Sequence, residues 1–556
     1  MAALAAFFVV GACTSVAPRE SPAGQPTTAA SEPTATISTA TASARQAEYL
    51  VFYADGKQRE AENAVARAGG TVVSVDSRLG YLMAKAGTAA FPENAGADPS
   101  VVGVSPDRRI GAATVTPTAG RPAAAHRASG KQARTEPLAG RQWDMRMIGA
   151  DRANLKVPGS RQVLVGVIDT GVDGKHPDIA PNFNRELSRN FVIDRPTDDR
   201  GETLDGPCEV SSCIDPVDVD DDGHGTHVAS TIASPINGIG IAGVAPGVQI
   251  VNIRAGQDSG FFFLKPSLDA LTYAGDIGVD VVNMSFFVDP WLFNCPDNAS
   301  DSKKQQLEQR AVIVGMQRAL DYARARGVTL VSALGNGATD LGHPTVDRQS
   351  PGYPKGSERV RRVDNSCLNV PAESRGVISV AAVGPTGRKA IYSDYGLEQT
   401  DVAAPGGDSL DGPGGASPTR GILAAAPEHV LRAAGRIDAS GKPRGPDVVR
   451  DCTGGSCSYY QYLEGTSMAA PHATGVAAIL ISRFGKPGKG GLNLAPATVE
   501  NLLFRTAAPR SCPSPRNFVY RSYGRNVTHD CRGGTDDNGF YGHGIVDAWK
   551  AATVEP

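Results

Sequence analysis

The run Gly465-Thr466-Ser467-Met468-Ala469-Ala470-Pro471-His472, continued by Ala473-Thr474-Gly475-Val476-Ala477-Ala478-Ile479-Leu480, constrains the chain more than any other stretch. A glycine and a hydroxyl pair precede small apolar residues of helical character, so a helix is expected to start at Ser467 with its hydroxyl exposed in the turn. A helix start leaves backbone N–H groups unpaired and carries partial positive charge, both suited to an oxyanion forming beside a nucleophilic serine. Pro471 is expected in the first turn, where its missing N–H has no intrahelical partner to lose. The same residues also fit a serine-capped, alanine-rich core helix without chemistry. The rest of the chain has to decide.

A serine hydroxyl is a weak nucleophile at neutral pH and needs a base, which in turn needs an orienting group. Val163-Leu164-Val165-Gly166-Val167-Ile168 is a continuous apolar run that ends in Asp169-Thr170-Gly171. That pattern fits a buried parallel strand with an acid at its carboxyl end, where open α/β sheets bind ligands. Asp222-Gly223-His224-Gly225-Thr226-His227 sets one histidine between glycines and a second three residues on. A zinc pair would call for His-Glu-x-x-His, which is absent. His224 therefore reads as the base at a helix start, and His227 as a packing residue. Another buried run, 328–334, ends in Gly335-Asn336-Gly337.

At these places the sequence resembles the subtilisin-like serine peptidases, the subtilases. Asp-Thr-Gly at Asp169, His-Gly-Thr-His at His224 and Gly-Thr-Ser-Met-Ala-x-Pro around Ser467 match that family's blocks in the family's order. The resemblance implies a catalytic set of Asp169, His224 and Ser467, with Asn336 as the side-chain donor to the oxyanion. It assigns substrate binding to Gly335 and to Ser285, which ends Val281-Val282-Asn283-Met284, a strand that an extended peptide would join. The chain departs from the family at Phe286-Phe287-Val288, where a small glycine-containing stretch is usual. Phe261-Phe262-Phe263 either walls the opposite side of the cleft or packs beneath an insertion. One alternative is an α/β-hydrolase esterase, which would want Gly-x-Ser-x-Gly with its acid and histidine following, against the order found here. The other alternative is a non-catalytic, surface-anchored binding protein on the same scaffold, which a missing triad residue would favour; none is missing.

From 163 onward strands and helices alternate, arguing an α/β fold with a mostly parallel central sheet flanked by helices. Strands are expected at 248–253, 279–284, 328–334 and 377–383, and helices at 267–277, 305–326, 467–483 and 496–506. Polar, Gly- and Pro-rich insertions at 194–221, 289–305, 339–375 and 406–462 are expected as loops that shape the cleft. Upstream, strands at 49–53, 71–75, 81–86 and 101–104 with a helix at 58–68 make a small α+β, ferredoxin-like unit. Its position and pattern resemble the family's inhibitory propeptide, the alternative being an unrelated small binding domain. The expected organisation is a signal at 1–12, a Ser/Thr/Pro/Ala-rich tether at 13–46, this unit at 47–110, a linker and processing region at 111–141, and the peptidase domain at 142–556.

A net charge of −3 over 556 residues gives no sign of a nucleic-acid partner. No apolar run reaches the about 20 residues of a spanning helix. Val10-Gly11-Ala12-Cys13 resembles the lipobox of bacterial lipoproteins and implies lipidation at Cys13. No Lys or Arg precedes the apolar run, so an ordinary cleaved export signal, or none, stays open. Apart from Cys13 there are eight cysteines, an even number with no zinc-like quartet, which points to disulfides in an oxidising compartment, with free buried thiols as the alternative. The expected pairs are Cys208–Cys213, Cys295–Cys367, Cys452–Cys457 and Cys512–Cys531. The chemistry needs no cofactor. Structural calcium is common in the family, but no complete ligand loop is found and the acidic stretch 218–222 is expected to be a solvated loop. The expected partners are polypeptide substrates and the chain's own propeptide as intramolecular inhibitor, with a monomeric, exported protein touching a membrane only through a lipid anchor.

Overall fold

The computed structural model describes residues 46–108, 136–522 and 525–555. The signal, Cys13, nearly all of the tether and most of the processing region lie outside the described residues.

An N-terminal domain runs β1 Ala47–Tyr53, α1 Gln58–Arg67, β2 Gly70–Asp76, β3 Tyr81–Ala86, α2 Phe91–Ala95 and β4 Val101–Pro106. Its sheet, in the order β2-β3-β1-β4, is antiparallel throughout, the ferredoxin-like arrangement. Side chains alternate across a strand. Tyr49, Val51, Leu82 and Ala84 face the domain's own helices, while Leu50, Phe52, Tyr81 and Met83 join a core shared with the main body. Only α2 was unforeseen; five residues beginning Phe-Pro carry no helical period.

The main body is built on β5 Leu164–Ile168, β6 Arg189–Asn190, β7 Gln249–Arg254, β8 Val281–Met284, β9 Thr329–Ala333, β10 Ile378–Val383 and β11 Val402–Pro405. They lie in the order β11-β10-β9-β8-β5-β7-β6, and every pairing is parallel. Its helices include α3 His224–Ala233, α4 Leu264–Ile277, α5 Lys303–Arg324, α6 Thr466–Phe484, α7 Pro496–Thr506 and α8 Ala548–Thr553. Val165 and Val167 of β5 pack with α3 and α6, whereas Leu164 and Ile168 pack with α4 and α5, so both faces of the sheet are covered. Helix α6 is buried on all sides from Met468 to Ile481, which is why its sequence is apolar around the whole circumference. A capping box between Ser302 and Gln305 starts α5.

Three expectations need correction. Pro471 is the sixth residue of α6, inside the helix rather than in its first turn. The 406–462 insertion is not all loop: β12 Ile422–Ala425, β13 Val448–Asp451 and β14 Ser458–Leu463 form an antiparallel sheet in the order β12-β14-β13. Tyr460 and Tyr462 pack into the core of the main body, while Tyr459 joins Leu431, Ile437 and Val448 in a small apolar cluster of the insertion's own. The 218–222 stretch is not solvated either, since Asp218 and Asp220 are buried and bonded. A further hairpin, β15 Asn517–Ser522 with β16 Arg525–Asp530, was also unread.

All four expected disulfides are present. Cys295–Cys367 spans 72 residues, Cys208–Cys213 only 5. On the chain-entropy account, replacing both cysteines of the longer pair by alanine should cost about 4 kcal/mol of stability, and of the shorter about 2 kcal/mol. Guanidinium unfolding midpoints under oxidising conditions check this; equal losses would contradict the ranking. Among the described residues no helix is long and apolar enough to cross a membrane.

Candidate active site

The expected acid sits just past the carboxyl end of β5. Asp169 is fully buried and accepts from Thr170 N at 2.8 Å, while its backbone carbonyl accepts from Ala255 N and Gly256 N at the end of β7. Helix α3 begins at His224, after Gly223 with φ +99°. Its next residue must be glycine, because a Cβ on Gly225 would lie 2.1 Å from Gly171 O and 2.9 Å from Asp169 Cβ. That close approach puts His224 Nδ1 2.7 Å from Asp169 Oδ1. The imidazole is bonded to the acid and still reaches solvent, its side chain 26% exposed.

A group that the sequence reading missed locks these two motifs together. Asp220 Oδ1 accepts from Thr170 Oγ1 at 3.0 Å and from Gly223 N at 2.9 Å, and its Oδ2 accepts from Thr226 N at 2.9 Å and Thr226 Oγ1 at 2.5 Å. Thr170 Oγ1 in turn accepts from Gly225 N at 3.1 Å. One buried carboxylate thus fixes both the turn after Asp169 and the start of α3. The signal was present: an acid four residues before a Gly-His-Gly helix start can satisfy its free N–H groups.

Burial pushes the His224 imidazole down, but the carboxylate of Asp169, with Asp222 and Asp220, overrides it and raises the pKa to about 9. Asp222 is itself raised to about 6 by burial and by Asp220. His227, expected to pack, is buried with Nε2 donating to Ile422 O at 3.0 Å and Gln461 O at 3.1 Å. Burial lowers its pKa to about 3, so it is neutral.

Ser467 is the second residue of α6 and half-buried. Its Oγ donates to Ser285 O at 3.2 Å, and Ser285 Oγ donates to Ser467 O at 3.0 Å. Pro471 supports this exchange. In a regular helix residue 471 would donate to the carbonyl of residue 467, and proline has no N–H, so that carbonyl faces Ser285 without an intrahelical competitor. Ser285, expected to bind substrate, therefore uses its hydroxyl to hold the helix start. Among the described residues no hydrogen bond joins Ser467 Oγ to His224; the two meet as walls of one cleft.

Asn336, exposed beyond β9, accepts through Oδ1 from Thr466 N and Thr466 Oγ1, both at 2.9 Å. With the carbonyl end so engaged, the amide N–H groups are the end left for the cleft. Gly335 donates from its N to Thr466 Oγ1 at 3.1 Å, and at φ +127° its missing Cβ leaves room for Asp394 Oδ2, which would lie 2.2 Å away. A cleft of about 450 Å³ is lined by His224, Ser285, Gly335, Asn336 and Ser467. The structure brings these five together, with Asp169 behind His224. Phe261, Phe262, Phe286 and Phe287 line it too, and Phe262 stacks on Phe286 with ring centres 4.2 Å apart. Of Phe261-Phe262-Phe263, the first two wall the cleft, and Phe261 and Phe263 also pack against Tyr353 of the 339–375 insertion.

Asp194, Glu209, Asp215 and Asp258 gather carboxylate oxygens within 4.8 Å of one another. They do not fit a calcium cradle, because the buried Arg254 guanidinium lies among them, bonded to Asp194 at 2.9 Å, to Asp258 at 2.7 Å and to Asp215. The cation that such a cluster needs is a side chain.

Residues 160–544 match the model of the subtilase family, Peptidase S8. The chain is 28% identical over 389 residues to fervidolysin of Fervidobacterium pennivorans, a match covering 67% of this chain and 41% of the relative. It is also 28% identical over 326 residues to the thermophilic serine proteinase of Bacillus sp. strain AK1, covering 58% and 53% respectively. The match thus takes in about half of each of these relatives. In fold it resembles the epidermin leader peptide processing serine protease of Staphylococcus aureus, with a TM-score of 0.57 at 21% identity over 92% of this chain and 98% of that one. The family match takes in every strand end and helix start that meets at the cleft, and on that ground the chain belongs to the subtilase family.

Proposed function

We propose that the protein is an exported serine endopeptidase, made as a precursor whose N-terminal domain inhibits it until removed. The observation that carries this reading is the 2.7 Å bond between Asp169 and His224 at a cleft that also holds Ser467 and Asn336. Asp169 holds the proton on Nδ1 of His224, leaving Nε2 as the base. Rotation of Ser467 about its Cα–Cβ bond exchanges Ser285 O for Nε2 as acceptor. His224 then takes the hydroxyl proton as Ser467 Oγ attacks a peptide carbonyl, and Asn336 Nδ2 with the Ser467 backbone N–H receives the oxyanion. The imidazolium protonates the leaving amine, and water hydrolyses the acyl-enzyme by the same route in reverse. The chemistry needs no metal or cofactor.

The inhibitory role of the N-terminal domain is supported by its seat on α4 and α5. Arg318 donates to the carbonyls of Leu79, Gly80 and Tyr53 and to Asp55, and Arg78 pairs with Asp276. Export is supported by the four disulfides, and surface anchoring through Cys13 belongs to the same proposal. A fluorophosphonate probe should label the processed protein at Ser467 and leave Ser467→Ala unlabelled; labelling elsewhere, or none, would sink the reading. Asn336→Leu should lower kcat by about 10²–10³ with a much smaller change in KM, a magnitude taken from subtilisin, a member of this family. A loss confined to KM would remove Asn336 from the oxyanion site.

A further inference from the structure

Beyond that shared apolar core, the N-terminal domain sets a charged side chain deep against the main body. Arg108, two residues beyond β4, donates from Nη1 to Glu308 Oε1 on α5 at 2.7 Å. Its guanidinium lies 5.4 Å from the centre of the Tyr353 ring and 5.8 Å from that of Phe263, within cation–π range. Glu308 is fixed from its other side by Trp291, whose Nε1 donates to Oε2 at 3.2 Å. The Arg108 and Glu308 side chains are only 15% and 9% exposed. This pocket adjoins the cleft. Phe261, a wall of the cleft, stacks on Phe263 at 6.0 Å and meets Tyr353 edge-on at 5.7 Å.

A carboxylate so buried is costly without a cation. The neighbouring guanidinium groups have acids of their own: Arg195, 5.5 Å from the Tyr353 ring, pairs with Asp199, and Arg361, 4.7 Å from Trp291, lies beside Asp301 and Asp347. When the domain departs, Glu308, still held by Trp291, loses its partner. What is left is a preformed receptor for a planar cation, two aromatic rings and one oriented carboxylate.

We propose that this pocket is a guanidinium subsite of the substrate cleft, filled by Arg108 in the precursor and taking an arginine of the polypeptide substrate after the domain has gone. The inference rests on the peptidase reading above. Arg108 precedes the processing region in the chain, so the substrate arginine stands on the amino-terminal side of the scissile bond. Arginine is favoured over lysine because a planar fork can stack on the rings while it bonds the carboxylate.

The test uses peptides that share one scissile bond, with a single arginine stepped through successive positions before it, and the processed enzyme. At one position arginine should raise kcat/KM over alanine by about 10- to 100-fold, the worth of one charge-assisted hydrogen bond, and lysine by less. In Glu308→Gln the arginine-to-alanine ratio at that position should collapse. No arginine advantage anywhere, or an unchanged ratio in Glu308→Gln, overturns the subsite. Hydrolysis of none of the peptides overturns the peptidase reading instead, and calorimetry on the full-length chain then decides the pocket. N-acetyl-arginine amide should bind Arg108→Ala but not the same chain carrying Glu308→Gln as well; absence of binding to Arg108→Ala overturns the pocket.

Discussion

Ser467→Ala is expected to lower kcat on a peptide substrate by about 10⁶, and His224→Ala by a similar factor, magnitudes again taken from subtilisin. On the proposed mechanism neither residue works without the other. A hydroxyl without a base stays protonated, and a base without the hydroxyl has nothing to activate but water. The double variant should therefore be hardly worse than either single one, which separates a shared step from two independent contributions. Steady-state rates on one fluorogenic peptide measure this, with thermal unfolding as a control for folding. Ser467→Ala retaining a few per cent of the rate, or additive losses in the double variant, would remove these residues from a common mechanism.

Asp169→Asn is expected to cost about 10⁴ in kcat, the loss known for the equivalent change in a triad on another fold. The amide would present N–H groups to Nδ1, driving the imidazole proton to Nε2, where the base must be empty. The same variant tests the electrostatics. On the proposed mechanism His224 can act as a base only when neutral, so kcat/KM should be low below its pKa and rise through it. With Asp169, Asp222 and Asp220 holding the imidazolium, the rise should centre at about pH 9, well above the about 6.5 of a free histidine. Removing the Asp169 charge should move that limb toward acid. A limb that stays in place would mean that another group titrates.

Much of the geometry of the cleft was legible because it is carried by short local patterns. The apolar run into Asp169, the glycines around His224 and the hydroxyl pair before Ser467 each declare a strand end or helix start without reference to the rest of the chain. α7 falls at its expected bounds because Pro496 opens it at a position where proline is tolerated. What was lost depends on partners distant in sequence. Asp220 in a row of acids reads as solvated unless Thr170 is known to lie against it. Pro471 reads as a first-turn residue unless Ser285 is seen to engage the carbonyl that it leaves free. β11, Val-Ala-Ala-Pro, has little strand propensity and exists because β10 offers it an edge.

The four disulfides all lie within 208–531, so among the described residues none bridges 46–108 to the remainder. A single backbone cut in the intervening segment would therefore convert an intramolecular arrangement into a bimolecular one, ruled by mass action. Dilution into medium after that cut would shift the balance toward the separated enzyme, with no reductant and no second protease required.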